Sequence, residues 1–134
     1  MQKLIENGRA AYAYEQVKQV CEKENNKTKT EYRALVRSLP SMIQTNGFAA
    51  VIAFLYAKRL KNTPHQKVYQ TIFDWLKQQG ILNSSDKEFI EAVTKQNRDG
   101  YKRMTWETMS LLDWLKRFAE GMIEVEPIKR QEAE

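Results

Sequence analysis

The stretch that decides the fold is residues 101–122, which read YKRMTWETMSLLDWLKRFAEGM. Mostly apolar side chains recur there every three or four residues: Tyr101, Met104, Thr108, Leu111, Leu112, Leu115, Phe118, Ala119 and Met122. This spacing matches the turn of an α-helix, so it places these side chains on one face. The pattern predicts a long amphipathic helix that follows a turn at 97–100, runs to about Gly121 and turns its apolar face to a core.

The rest of the chain shows helical periodicity as well, and no stretch alternates as a strand would. Helices are predicted over 3–22, 29–38, 41–45 and 48–61, from Thr63 to a stop at Gly80, and from Ser85 through Val93. Their expected start signals are a capping box of Thr28 with Glu31, Pro40 in a first turn, Thr63 before Pro64, and Ser85 with Glu88. The sequence therefore predicts an all-α, compact single-domain bundle of about six helices.

The most apolar segment, 48–57, has apolar side chains all round, which predicts a helix at the centre of the bundle. Residues 38–57 carry no charge, but Pro40 and Gly47 interrupt them. The unbroken apolar part would rise only about 15 Å, half the thickness of a bilayer core. A buried helix in a soluble protein is therefore expected, with no membrane partner.

The composition fits one domain, because 134 residues with 42% hydrophobic side chains can form a single core. We predict this domain over 1–123 and a charged, frayed C-terminal tail over 124–134. The single cysteine excludes an internal disulfide framework and suits a reducing compartment. A cytoplasmic protein is expected.

Residues for catalysis are scarce. The one histidine, His65, lies in a helix's first turn, where an exposed structural residue is expected, and Cys21 lies beside valines that predict core packing. The sequence has no glycine-rich phosphate loop and no histidine pair with metal-ligand spacing. We therefore expect no enzyme activity, no cofactor, no metal and no small-molecule substrate.

The net charge of +5 is unevenly placed, because no acid lies between Glu31 and Asp74. On the last helix, Asp99/Arg103, Arg103/Glu107, Asp113/Arg117 and Lys116/Glu120 are spaced to pair locally. The cations of the middle segment lack such partners, which predicts phosphate contact through a set of six: Lys29, Arg33, Arg37, Lys58, Arg59 and Lys61. The alternative is that distant acids or water satisfy them.

Trp106 lies almost opposite the apolar stripe of the last helix, with Met109 beside it. It could anchor a partner, pack under another helix of the bundle, or stack on a base. The interface role is the prediction for Trp106 and Met109. Readout of duplex DNA is disfavoured, because a recognition helix needs polar side chains and 48–57 has none.

Two motifs are familiar together. Residues 31–48, EYRALVRSLPSMIQTNGF, are followed by AFL at 53–55 and AK at 57–58, and residues 111–120 read LLDWLKRFAE. This chain resembles, over its whole length, the small-subunit family of the Cmr complex, the type III-B CRISPR RAMP module. Phe48 stands where that family usually has Leu, and the residues after Pro127 are not part of its pattern.

The resemblance implies a non-catalytic, all-helical subunit of a ribonucleoprotein effector. Several copies would stack beside the backbone subunits and help to hold target RNA against the guide, while other subunits cut. The implied partners are other Cmr subunits, further copies of this chain, and guide and target RNA. The competing interpretation is a basic adaptor module that binds an acidic protein and no RNA of its own.

Overall fold

The computed structural model describes residues 8–125. Within that range the chain forms six α-helices and no strand: α1 (Arg9–Lys23), α2 (Asn26–Asn46), α3 (Phe48–Lys58), α4 (Thr63–Gln78), α5 (Phe89–Thr94) and α6 (Arg98–Met122). The predicted all-α class is confirmed. None of these helices combines the length and the apolarity that a bilayer crossing requires.

Helix α6 organises the bundle and packs against α1, α2 and α4. It runs parallel to α1, because Arg9 at the start of α1 meets Glu107 in the first half of α6, and Cys21 meets Met122 near the ends of both helices. The predicted apolar stripe faces inward: Met104, Thr108, Leu111, Leu112, Leu115 and Ala119 are fully buried. The period of the sequence thus correctly predicted the core face of the longest helix.

Helix α2 differs from its prediction at both of the expected boundaries. Asn25, not Thr28, is the N-cap, and its side-chain oxygen accepts a hydrogen bond of 2.8 Å from the Thr28 amide. Pro40 lies inside one continuous helix and does not open a second one. A proline removes one helical hydrogen bond, but buried side chains on both sides of it, such as Leu39 and Ile43, anchor one continuous face in the core. The predicted break at Gly47 is confirmed by its positive φ of 92°.

The composition of α3 predicted a helix at the centre of the bundle, but α3 is buried on one side only. Phe48, Val51, Ile52 and Leu55 are buried, whereas the alanines at 50, 53 and 57 are exposed. Alanine loses little when its small side chain stays in water, so an apolar composition did not require burial all round. The helix also ends at Lys58, before the predicted Lys61.

Two helices receive a cap from a tyrosine of another helix. The Tyr101 hydroxyl of α6 accepts a 2.9 Å hydrogen bond from the Ala49 amide in the first turn of α3. The Tyr69 hydroxyl of α4 accepts a 3.0 Å bond from the Ile90 amide and donates a 2.7 Å bond to Glu88 at the start of α5. The predicted start of α5 at Ser85 is therefore wrong, because the cap comes from a helix that is distant in sequence.

The predicted starts of α4 and α6 lie within three residues of the structure. Helix α4 includes Thr63, and its cap position is Asn62. Helix α6 begins at Arg98, because the Asn97 side chain accepts a 2.8 Å hydrogen bond from the Gly100 amide. The residues predicted to form a turn therefore form the first turn of the helix. The stop at Gly80 is confirmed, with φ of 73°.

Replacing Tyr101 with Phe tests the cap that α6 supplies to α3. The variant keeps the ring contact with Phe48, whose centroid lies 5.9 Å away, and loses the hydroxyl that accepts from Ala49. We expect the free energy of unfolding to fall by about 1 kcal/mol, the usual cost of a lost cap. Urea denaturation measures it, with Tyr14→Phe on the exposed side of α1 as the matched control. Equal stability of the two variants would show that the cap contributes nothing.

Candidate interaction surface

The predicted cations of α2 lie along one side of that helix. Lys29 and Arg33 are half-buried and Arg37 is exposed. The Nε atom of Arg33 is buried and has no hydrogen-bond partner among the described residues. Arg37 has a partner that the sequence did not reveal, because its Nε lies 3.5 Å from the Glu120 carboxylate of α6. For Arg37, the alternative that a distant acid satisfies the charge is therefore confirmed.

A groove of about 640 Å³ follows the exposed side of α2. It is lined by Thr30, Arg33, Ala34, Arg37, Ser38, Ser41, Met42 and Val125. Its walls combine two guanidinium groups with hydroxyl and apolar side chains. We call this feature the α2 groove. Phosphate groups or carboxylates are the ligands that arginines in such a setting bind best.

The second predicted cluster lies at the turn between α3 and α4. Lys58 and Lys61 are exposed. Arg59 is held in place: its guanidinium lies 3.9 Å from the centre of the Tyr56 ring, and it donates a 2.7 Å hydrogen bond to the Tyr56 carbonyl. Arg59 thus has a structural role in this turn, whereas the two lysines remain available to a partner.

Trp106 is 76% exposed, which excludes the interpretation that another helix of the same bundle covers it. A groove of about 500 Å³ on one side of the ring includes Pro40 of α2 and Met109, which is half-buried. A second groove on its other side includes Ile81 and Lys102. Trp106 and Met109 are thus brought together with α2 on one surface.

The exposed sides of α2 and α6 therefore bring together two groups of predicted site residues that are distant in the sequence. Arg37 meets α6 at Glu120, and Pro40, one turn further along α2, lines the groove of Trp106. We call the surface formed by the exposed sides of α2 and α6 the α2–α6 face. Lys58 and Lys61 belong to a different part of the molecule, the α3–α4 turn.

His65 is half-buried, so the expectation of an exposed residue is wrong. Its ring lies 5.4 Å from that of Phe54, and its Nδ1 has no partner among the described residues. Burial lowers the pKa of His65, and the Lys58 charge lowers it further, against a smaller opposing effect of Glu31. Within residues 8–125, no group of three or more potential ligands could hold a metal ion.

Sequence reasoning missed one polar cluster, formed by Arg9, Trp75 and Glu107. Arg9 contacts both carboxylate oxygens of Glu107, at 2.6 and 3.0 Å, and the Trp75 indole donates to the same group at 2.8 Å. Burial raises the pKa of Glu107, but these hydrogen bonds outweigh it, so the net shift is downward. The predicted local pairing of Arg103 with Glu107 is therefore wrong. The predicted pair Asp113–Arg117 is present at 3.3 Å.

The fold and its surface define the class first: within residues 8–125, this is a small all-helical protein that displays cations and one large aromatic ring. The family model for the CRISPR-associated protein Cas_Cmr5 matches residues 5–122. This chain therefore belongs to the Cas_Cmr5 family, and the resemblance carried by its motifs is confirmed.

A curated relative adds a second comparison. It is the protein of Thermus thermophilus called "CRISPR system Cmr subunit Cmr5". The two are 28% identical over 116 residues, which cover 86% of this chain and 92% of the relative. The similarity thus spans nearly the whole helical bundle.

Proposed function

We propose that this chain is a non-catalytic, cytoplasmic small subunit of a Cmr ribonucleoprotein effector, where it helps to hold guide or target RNA through phosphate contacts. Membership of the family supports the assembly, and the α2 groove supports the RNA contact. The observation that carries the proposal is that Arg33 and Arg37 line the same surface groove, where Arg37 is exposed. Contacts to phosphate are independent of sequence, which suits a subunit that must accept any guide.

The other four proposed RNA contacts differ in how available their side chains are to a phosphate. Lys29 extends the α2 cluster by one turn, and Lys58 with Lys61 forms a separate exposed pair. Arg59 is the weakest of the six, because Tyr56 already engages its guanidinium. A strand of RNA that reached both clusters would pass from the α2 groove to the α3–α4 turn.

Neutralising the groove tests the RNA contact. In the assembled complex, Arg33→Gln with Arg37→Gln should weaken single-stranded RNA binding at low salt, because two phosphate contacts are lost. The slope of log K against log salt should become shallower by roughly 1.4, at about 0.7 for each contact to a single strand. Filter binding over a range of salt concentrations measures both effects.

The matched control is Lys18→Gln with Lys95→Gln, which removes the same charge from exposed positions on α1 and beyond α5. The control should change affinity little. Equal salt slopes for the two double variants would contradict a specific role of the α2 groove. Circular dichroism verifies that the helices persist, since Arg37 forms only an exposed ion pair, worth less than about 1 kcal/mol.

One observation favours the adaptor function as the second candidate. Trp106 is exposed and Met109 lies beside it, which is the arrangement of a protein-interface anchor. We propose that these two residues contact another Cmr subunit or a further copy of this chain. A protein contact at Trp106 is compatible with RNA in the α2 groove, and the adaptor differs from the effector subunit in binding no RNA of its own.

Purification of the tagged chain from its own cells at low salt separates the two candidates. Other Cmr subunits with short guide RNAs in the eluate would support the effector subunit. An acidic protein partner without RNA would support the adaptor and contradict the RNA contact.

A further inference from the structure

We propose that residues 126–134 of this chain dock in the α2 groove and compete there with phosphate for Arg33 and Arg37. These residues, EPIKRQEAE, lie outside the described range and beyond the match to the family model, which ends at 122. The competition with RNA rests on the function proposed above, whereas the docking does not.

The path of the chain after α6 is the first argument. The helix ends at Met122, Ile123 is buried, and Val125 lines the α2 groove together with Arg33 and Arg37. Glu124 and Val125 also line the adjoining depression at the start of α2. Consecutive Cα atoms are about 3.8 Å apart, so a segment that continues from Val125 starts within reach of the groove.

Charge is the second argument. Two arginines line the groove. The Nε atom of Arg33 is buried and has no partner among the described residues, and the Nε atom of Arg37 lies 3.5 Å from the Glu120 carboxylate. The segment that follows Val125 contains three carboxylates, Glu126, Glu132 and Glu134. A carboxylate binds a guanidinium in the same forked geometry as a phosphate, so one site accepts either.

Reach and surface chemistry are the third argument. Nine residues span up to about 30 Å when extended, and the groove between Thr30 and Met42 is about 18 Å long at 1.5 Å per helical residue. Ile128 is the one large aliphatic side chain of the segment, and Ala34 and Met42 give the groove an apolar wall. Lys129 and Arg130 oppose the docking, which keeps it weak enough for RNA to displace.

The docking is tested first without RNA, by comparing backbone amide shifts of the full chain with those of a variant that ends at Val125. A second variant keeps the full length and carries Glu126→Gln, Glu132→Gln and Glu134→Gln. Both should shift amides across residues 30–42, and the difference should fade as salt increases. Changes confined to the last turn of α6 would overturn the docking.

The competition is tested with single-stranded RNA and the same two variants. Both should bind about three- to tenfold more tightly than the full chain at low salt, as expected for the loss of one or two exposed ion pairs. A control with the opposite charge change, Lys129→Gln with Arg130→Gln, should bind RNA more weakly than the full chain. Groove shifts together with an unchanged RNA affinity would overturn the competition. Groove shifts with no RNA binding by any form would overturn the proposed RNA contact and leave the docking supported.

Discussion

Glu107→Ala is expected to lower the free energy of unfolding by about 3 kcal/mol, the largest stability effect we predict. The substitution leaves the Arg9 guanidinium, whose side chain is 15% exposed in this pair, without the carboxylate that binds it through both oxygens. It also removes the acceptor of the Trp75 indole. Removing one partner of a buried ion pair typically costs about 3–5 kcal/mol, and partial exposure places this pair at the lower end.

The matched control is Asp113→Ala, which breaks the pair with Arg117 on the same helix. Those side chains are 56% and 62% exposed. An exposed pair of this kind contributes less than about 1 kcal/mol. Urea denaturation of both variants measures the difference, and equal losses would show that the Glu107 cluster is no more important than a surface pair.

The same cluster predicts how stability depends on pH. The pKa of Glu107 is lower in the folded protein than in the unfolded chain, so the folded state favours the carboxylate. Its contribution is therefore fully present above the unfolded value of about 4.3 and is lost as the pH falls through the folded pKa. We expect Glu107→Gln to make the acid limb of the stability curve shallower. An unchanged limb would contradict the assignment.

Trp106→Ala should have the largest effect on assembly and almost none on folding. With 76% of the side chain exposed, its removal leaves no cavity, and we expect a change in stability within about 0.5 kcal/mol. An aromatic anchor of an interface contributes about 2 kcal/mol or more, so the apparent affinity for the assembly should fall about 30-fold. Pull-down by the remaining Cmr subunits, titrated with the variant, measures it.

Trp114→Ala is the contrasting control on the same helix. Its ring is half-buried and stacks on Phe118 at 5.7 Å, so we expect a loss of stability of more than about 1 kcal/mol. Normal incorporation of Trp106→Ala into the complex would contradict the interface. A loss of about 3 kcal/mol in the free energy of unfolding of Trp106→Ala would show that the Trp106 ring packs in a core.

Much of the bundle follows from residues that are near one another in the chain. The spacing of apolar residues in 101–122 predicted the buried face of α6, and the glycines at 47 and 80 predicted two helix ends. The angle of Trp106 from the apolar stripe placed it off the main core face of α6, but did not decide between an interface anchor and packing under another helix. These features depend on helical period and backbone conformation, which a short segment determines by itself.

Local signals failed where distant elements supply the deciding contact. The residues around Pro40 predict a helix start, but α2 continues through Pro40 because buried side chains on both sides of it pack in the core. The start of α5 depends on Tyr69 of α4, whose hydroxyl accepts a hydrogen bond from the Ile90 amide. A hydrogen bond from another helix leaves no mark in the segment that receives it.

The candidate site divides in the same way. The sequence by itself determined the helical class, the family and the excess of cations in the middle of the chain, whereas the tertiary structure decided that Trp106 is exposed. Only the tertiary structure decided which charges are free: Arg37 meets Glu120, Arg59 stacks on Tyr56, and Glu107 binds Arg9 across 98 residues of chain. The physical reason is that helical period fixes where a side chain points, whereas the packing of helices fixes what it meets.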